Sequence, residues 1–390
     1  MGILAAMKRA LLATLFVCIA GTACKTAPDY ATPLADGAPA LLPLGPHEKI
    51  PDFSHEWEHR EEILPALENS LAWTRREHAK QFFPTAGVDH ERALASLERF
   101  KQLLSASYGP EDFQRSIENE FQVYKSAGWN GKGGGVLFTA YCTPILRGSL
   151  KPDAEFRYPL YRLPPDLVKG RDGEVLGWET ARGRVPQYPS RTAIEASGML
   201  AGHELVWLRD PLDAYIAHVN GSAFIELPDG SLYRVGYAGK NGRAYKSLGK
   251  ELESDGLIPR GEASLGTIRA WAAWASPEDL QDYLGRNQSY VFFTPIDGNP
   301  HGSLDVEVTG GRSLATDKSL FPRGALVFAA GPTGDASVNR FLFDQDTGGA
   351  IRSAGRADVY LGIGPQAEES AGRTKVEGQL YYLFLKSVAE

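Results

Sequence analysis

The chain has 390 residues, with 41 lysines and arginines against 48 aspartates and glutamates, and three cysteines. Apolar residues at 43% suffice for packed cores and exclude a disordered chain, and the length predicts two or three domains. A formal charge of −7 excludes a general nucleic-acid binder, and three cysteines exclude a disulfide framework or a four-cysteine zinc site.

Met1 to Thr22 reads MGILAAMKRALLATLFVCIAGT, with Lys8 and Arg9 ahead of an apolar run from Ala10 to Ala20 broken only by Thr14. That run is too short for an ordinary spanning helix and has the flanks of an export signal. Gly21, Thr22 and Ala23 then lead to Cys24. Small residues before a cysteine resemble a bacterial lipobox, although Gly21 stands where leucine is usual. The reading is a signal peptide over 1–23 with Cys24 lipidated; the alternative is an ordinary cleaved signal and a chance cysteine. Residues 24–50, rich in Pro and Ala, read as a tether between membrane and folded body. Lys25 after Cys24 provides no aspartate for inner-membrane retention, which favours the periplasmic face of the outer membrane of a Gram-negative bacterium.

Residues 56–125 read as helical. Ile63, Leu64, Leu67, Leu71 and Trp73 recur near helical spacing, with Pro65 as a start or kink. Asp89 is an N-cap for a run to Leu104, and Pro110, Glu111 and Asp112 open a helix toward Tyr124. Gly131 to Gly135 is a turn. Strands dominate from Val136 onward. VLFTAYCTP (136–144) is one, and AYIAHVNGSAFIEL followed by Pro228-Asp229-Gly230 and SLYRVGYAG reads as a hairpin. Short helices interrupt at 192–201, 246–254, 264–274 and 277–286. SYVFFTPI, LDVEVT, ALVFAA, RFLFDQD, ADVYLG and QLYYLFLK come next as consecutive strands. The fold class is mainly β with a helical N-terminal part.

Several motifs bear on chemistry. His55-Glu56-Trp57-Glu58-His59 matches the zinc-protease pattern, in which two imidazoles share one helix face beside a glutamate base. Its neighbours, Ser54, Arg60, Glu61 and Glu62, make it a solvated first helical turn, and no metal is expected. Gly131-Lys132-Gly133-Gly134-Gly135 lacks the order of a phosphate loop and reads as flexible. Cys142, inside an apolar strand, reads as a buried and inert thiol. Asp344, Asp346 and Asp358 lie on or beside strands with few basic neighbours. Gly348 and Gly349 place bare backbone beside Asp346, which suits a close ligand. Asp358 interrupts an apolar strand, where burial without a cation raises a carboxyl pKa toward what a general acid needs. Each aspartate could equally cap a turn or accept backbone hydrogen bonds.

GRSLATDKSLFPRGALVF (311–328), FDQDTGGAIRSAGRADVYLGIG (343–364) and the terminal GQLYYLFLK resemble the three-aspartate domain that ends the membrane-bound lytic murein transglycosylase A family. FTAYCTP (138–144), FRYPLYRLPPDL (156–167), WLRDPLDAYIAHVNGS (207–222) and VGYAGKNGRAYKSLGK (235–250) resemble the rest of that family, so that the likeness runs from about 130 to 388. The resemblance implies a double-psi β-barrel catalytic domain from 51–148 plus 286–390, with a smaller β-barrel domain inserted over 149–285 and a glycan groove between them. It also implies a lyase-type peptidoglycan exotransglycosylase that cleaves between N-acetylmuramic acid and N-acetylglucosamine, uses no cofactor, and has glycan strands and other cell-wall enzymes as partners. The family's three aspartates fall on Asp317, Asp346 and Asp358. The catalytic acid falls on Asp358, in Asp358-Val359-Tyr360, with Asp346 supporting it. Asp317, Tyr141, Thr143, Asn220, Gly221, Ser222, Lys240, Asn241, Gly348 and Gly349 are the implied substrate contacts. The sequence departs from the family at Asn220-Gly221-Ser222-Ala223 and at Cys142, both at implied glycan contacts. The rival readings are an inverting hydrolase with Asp346 as base and an expansin-like wall-binding protein without catalysis.

Overall fold

The structure is a computed structural model that describes residues 28–45, 47–170, 174–332 and 338–387. The export signal and Cys24 lie outside the described residues.

In chain order, the first half contributes β1 (Leu41–Pro43), α1 (Arg60–Thr74), α2 (His90–Ala106), α3 (Pro110–Glu120), β2 (Phe121–Ser126), β3 (Val136–Thr143) and β4 (Ile145–Ser149). Next come β5 (Tyr158–Tyr161), β6 (Leu167–Lys169), β7 (Val175–Thr180), β8 (Gly183–Val185), α4 (Arg191–Ser197), β9 (Glu204–Leu208), α5 (Pro211–Asn220), β10 (Ala223–Glu226) and β11 (Leu232–Lys240). The remainder is α6 (Leu248–Ser254), α7 (Leu265–Ala272), α8 (Pro277–Gly285), β12 (Val291–Pro295), β13 (Ser313–Ala315), β14 (Leu326–Ala330), β15 (Arg340–Asp346), β16 (Arg356–Ile363), α9 (Pro365–Arg373) and β17 (Lys375–Leu385).

Two β units result. In the first, β17, β14, β15, β13, β16 and β3 pair in that order, and β3 pairs back onto β17 to close a six-stranded barrel. Leu314, Val327, Leu342, Ala357, Val359 and Tyr382 fill its interior. Phe328, Phe341, Phe343 and Leu383 point outward under α1, α2 and α3. The central stretches Leu326–Phe328, Phe341–Phe343 and Leu380–Phe384 are therefore buried on both faces and carry large apolar or aromatic side chains on each. In the second unit, β12, β11, β10, β4, β9 and β5 form one sheet, and a bridge between Arg162 and Phe293 brings its two edges together. Helices α5, α6 and α8 pack beside it through Leu212, Ile216, Leu252 and Leu284.

Several sequence expectations change. The helix predicted toward Tyr124 stops at Glu120, and β2 begins at Phe121, where Phe121 and Val123 enter the helix–barrel core. The first arm of the predicted hairpin is largely α5; Asp210 caps it by accepting from Leu212 N at 2.7 Å, and Pro211 occupies its first turn. The Asp-Gly hairpin itself joins β10 and β11. LDVEVT forms no strand of either sheet; Gly302 N bonds Val306 O instead, closing a loop. The second sheet takes in β4 from Ile145 and β12 to Pro295, beyond the expected insert of 149–285. The expected tether is packed in its described part: β1 pairs with β2, and Tyr30 donates to Glu377 Oε2 at 2.7 Å.

Two buried ion pairs tie the barrel to its surroundings. Asp344 lies inside, bonded to Lys318, to the Thr316 hydroxyl and, at 2.8 Å, to the Tyr382 hydroxyl. Glu56 is buried against Arg312 and accepts from Phe341 N at 2.7 Å. The HEWEH segment is thus not wholly solvated: His55 and His59 are about half-exposed, but its first glutamate anchors the helical layer to β15.

Candidate active site

Asp358 lies on β16, whose alternation decides where the side chain goes. Ala357 and Val359 enter the barrel, so Asp358 and Tyr360 face out toward the second unit. Asp358 follows the period of its strand and does not break an apolar run. Its Cα pairs with Ala315 on one side and with Thr139 on the other. Ala315 also pairs with Asp346 across β13 and β15, where the register advances by one extra residue on β15. Such an irregularity re-aims a side chain at a sheet end. The two aspartates therefore flank Ala315 on neighbouring strands, and both line the same small cavity of about 140 Å³.

The polar partners of the two acids differ. Asp358 Oδ1 accepts from the Thr139 hydroxyl at 2.6 Å. Burial pushes its pKa up to about 6. The Thr139 hydrogen bond and the Arg356 cation oppose that shift, and Asp346 adds to it. Asp346 is more tightly held: Oδ2 accepts from the Tyr141 hydroxyl at 2.6 Å, and Oδ1 accepts from Ser303 N and Thr347 N, each at 2.8 Å. Burial raises its pKa as well, against the pull of these bonds.

This cavity opens into a groove of about 740 Å³ between the two units. The second unit lines it with Asn220, Gly221, Ser222, Tyr237, Lys240 and Tyr245, and the barrel with Tyr141, Ser303, Thr347, Gly348, Gly349 and Tyr360. Gly349 passes close to the second unit: a Cβ there would sit 3.2 Å from the Tyr245 Cβ and would press that side chain back by a few tenths of an ångström. Thr143 lies beneath the groove floor, buried, with its hydroxyl 3.1 Å from Ser222 Oγ and 3.0 Å from the Tyr360 hydroxyl. Arg269 of α7 holds the units together from behind, 2.8 Å from Asp213 and 3.1 Å from Glu368.

Two expected contacts face elsewhere. Asn241 is buried, with Nδ2 donating to Pro189 O and Gln288 O and Oδ1 accepting from Tyr290 N, so its amide builds the second unit. Asp317 is buried below the loop after β15, where it accepts from Ser319 Oγ at 2.6 Å and Ser353 N at 3.0 Å. These bonds and nearby Arg352 hold its carboxyl below the usual range despite burial. Cys142 is buried, and its thiol is pushed up to about 12. Among the described residues, no group of three or more His, Cys, Asp or Glu is placed to hold a metal ion. Thr139, Tyr245, Ser303 and Arg352 were not legible as site residues one by one. Alternation along β3 could have found Thr139, two positions before Tyr141 on the same face; Ser303 contributes only a backbone N–H, for which no sequence signal exists.

A closed barrel and a second β unit, facing each other across a groove with a raised-pKa carboxyl on its floor, define a polymer-cleft architecture. Comparison with known proteins gives that architecture a family. The MltA specific insert domain model matches residues 137–294, and the 3D domain model matches 312–384. Membrane-bound lytic murein transglycosylase A of Vibrio cholerae is 33% identical over 269 residues, covering 67% of this chain and 68% of that protein. The Escherichia coli K12 protein of the same name is 34% identical over 259 residues, covering 64% of this chain. The match spans 66% of that relative's own length. The crystal structure of a membrane-bound lytic murein transglycosylase from Agrobacterium tumefaciens superposes with a TM-score of 0.72 at 28% identity, covering 85% of this chain and 94% of that one. Escherichia coli MltA with bound chitohexaose gives 0.69 at 25% identity, covering 92% and 96%. The chain belongs to the membrane-bound lytic murein transglycosylase A family.

Proposed function

We propose that this protein is a peptidoglycan lytic transglycosylase that cleaves the β-1,4 bond between N-acetylmuramic acid and N-acetylglucosamine without water and leaves a 1,6-anhydromuramic end. The observation that carries the reading is Asp358, an outward-facing carboxyl on a groove floor with its pKa pushed up to about 6. Near neutral pH a carboxyl so tuned keeps a usable neutral fraction, as a general acid must.

In the proposed reaction Asp358 donates its proton to the glycosidic oxygen as the bond to the anomeric carbon breaks. The resulting carboxylate takes the proton of the muramic 6-hydroxyl, whose oxygen attacks the anomeric carbon and closes the anhydro ring. The attack is intramolecular, so orientation replaces a held water molecule. Asp346 supports Asp358: its negative charge favours the neutral form of its neighbour before the reaction. An inverting hydrolase would need Asp346 free to activate water. Both of its oxygens are already engaged by Tyr141, Ser303 and Thr347, which favours the supporting role. We assign Tyr141, Asn220, Gly221, Ser222, Lys240, Gly348 and Gly349 to the glycan-facing surface, and Thr143 to the bonding beneath it. Asp317 and Asn241 are assigned to the framework.

We further read the closed barrel as a double-psi barrel, supported by its six strands and by the parallel pairings β13–β15 and β3–β16. The proposed catalytic domain is the barrel with its helical layer, expected over 51–148 plus 286–390 and narrowed by the second unit, which is inserted from β4 to β12; Cys24 is the proposed lipid anchor to the outer membrane. "Membrane-bound" in the relatives' names is consistent with that anchor. The proposed chemistry uses no cofactor. Mass spectrometry of products from purified sacculi tests the reaction. Anhydro-muropeptides with no label from heavy-oxygen water are the expected outcome; labelled reducing ends would replace the transglycosylase with the hydrolase.

A further inference from the structure

We propose that Lys240 and Arg352 form an anion subsite, which takes a carboxylate on the 3-O-lactyl arm of a muramic acid and makes the groove select muramyl strands over neutral N-acetylglucosamine polymers. The inference rests on the reading of the groove as a glycan cleft.

Lys240 ends β11 in the second unit, and Arg352 stands on the loop after β15 in the barrel; both line the same groove. Among the described residues no hydrogen-bond or ion-pair partner reaches Lys240 Nζ. Burial and the facing guanidinium of Arg352 together hold this ammonium below the ordinary lysine range. Two cations on one groove, Lys240 without an anion of its own and Arg352 with only Asp317 at 3.7 Å behind it, are an arrangement that an incoming anion relieves. Arg352 is not loose. Asp317 lies 3.7 Å from its Nη1 and accepts from Ser353 N next to it, which aims the loop while leaving the guanidinium exposed. The third aspartate of the domain thereby acquires a positioning role through Arg352.

The other charged groups of the groove are already committed. Arg243 donates to Tyr188 O at 2.8 Å and to Gln187 Oε1 at 2.7 Å. Asp305 pairs with Arg76 and His301, and Asp346 is held by Tyr141. The unmet charge in the groove is positive. A glycan of N-acetylglucosamine alone carries no acid. Muramic acid does, through its lactyl arm, which ends either in a free carboxylate or in a stem peptide with carboxylates of its own.

The test measures affinity on an Asp358→Asn background, so that ligands survive. Three probes are compared: chitohexaose, peptide-stripped murein strands with free lactyl carboxylates, and peptide-bearing strands. We expect Lys240→Gln with Arg352→Gln to cut the affinity ratio of carboxylate-bearing over neutral probe by about tenfold, as for two screened ion pairs. Lys240→Arg should keep the ratio. Added salt should lower the ratio in the unsubstituted groove and leave it flat in the double variant. Loss confined to stripped strands identifies the free lactyl group; loss confined to peptide-bearing strands identifies the peptide. An unchanged ratio, whatever the absolute affinities, overturns the anion subsite alone. Failure of all three probes to bind overturns the glycan cleft and the subsite with it.

Discussion

Thr139→Val isolates the hydrogen bond that tunes the proposed acid. Valine keeps the shape and the β-branching of threonine, so β3 retains its register beside β16. The bond it removes is 2.6 Å long and stabilises the ionised form of Asp358. A hydrogen bond to a charged group contributes about 1.5–3 kcal/mol. At ~1.36 kcal/mol per pKa unit this corresponds to roughly one to two units. Asp358 is only half-buried, so water replaces part of the bond and about one unit should remain. The acid must be protonated to act, so activity falls as pH rises through its pKa. The alkaline limb of kcat/KM, near pH 6 in the parent, should therefore move upward by about one unit. Release of soluble muropeptides from sacculi across pH gives the limb directly. Arg356 also contacts the Thr139 hydroxyl, at 3.2 Å, and would lower the pKa if it swung onto Asp358. A limb that stays in place or moves downward would refute the argument.

Asp358→Asn should retain glycan binding and lose at least about a hundredfold in turnover, the low end for removal of a general acid. The same variant should melt higher than the parent at pH 8 but not at pH 4. A carboxyl whose pKa is raised in the fold costs stability once pH exceeds its unfolded value, fully so above its folded value, and asparagine never ionises; calorimetry at the two pH values checks the sign. Lys318→Met should cost about 3–5 kcal/mol in denaturant unfolding, because Asp344 is left buried inside the barrel without its cation. His55→Ala with His59→Ala should leave turnover near the parent and chelator should have no effect, whereas Glu56→Gln should lower stability through Arg312; restoration of a chelated enzyme by zinc would contradict this. Cys24→Ala should move the protein from the membrane fraction to the soluble periplasm, and a parent already soluble would end the lipid-anchor proposal.

Some elements are dictated by local pattern alone and were legible in the sequence. Asp89 and Pro110 open their helices because caps act within a turn. RFLFDQD is a strand whose Phe341, Leu342 and Phe343 carry the signal, because aromatic and large apolar side chains suit a sheet buried on both sides. Motif order also grouped Asp346 with Asp358. Other features depend on what lies across the fold. Phe121 to Ser126 continues a helical pattern in sequence, yet becomes β2 because β17 supplies ladder partners from the far end of the chain. Glu56 sits among charged neighbours that suggest solvent, and is buried because Arg312, 256 residues later, arrives beside it. Asn241 and Lys240 are adjacent in one motif, but the end of β11 buries the first and leaves the second facing the groove. The pKa of Asp358 belongs to the same class. The aspartate is written in the sequence, but its desolvation comes from burial in a cavity that barrel strands and second-unit residues such as Asn220 and Tyr245 line together, and its restraint from the Thr139 hydroxyl on β3, more than 200 residues earlier in the chain.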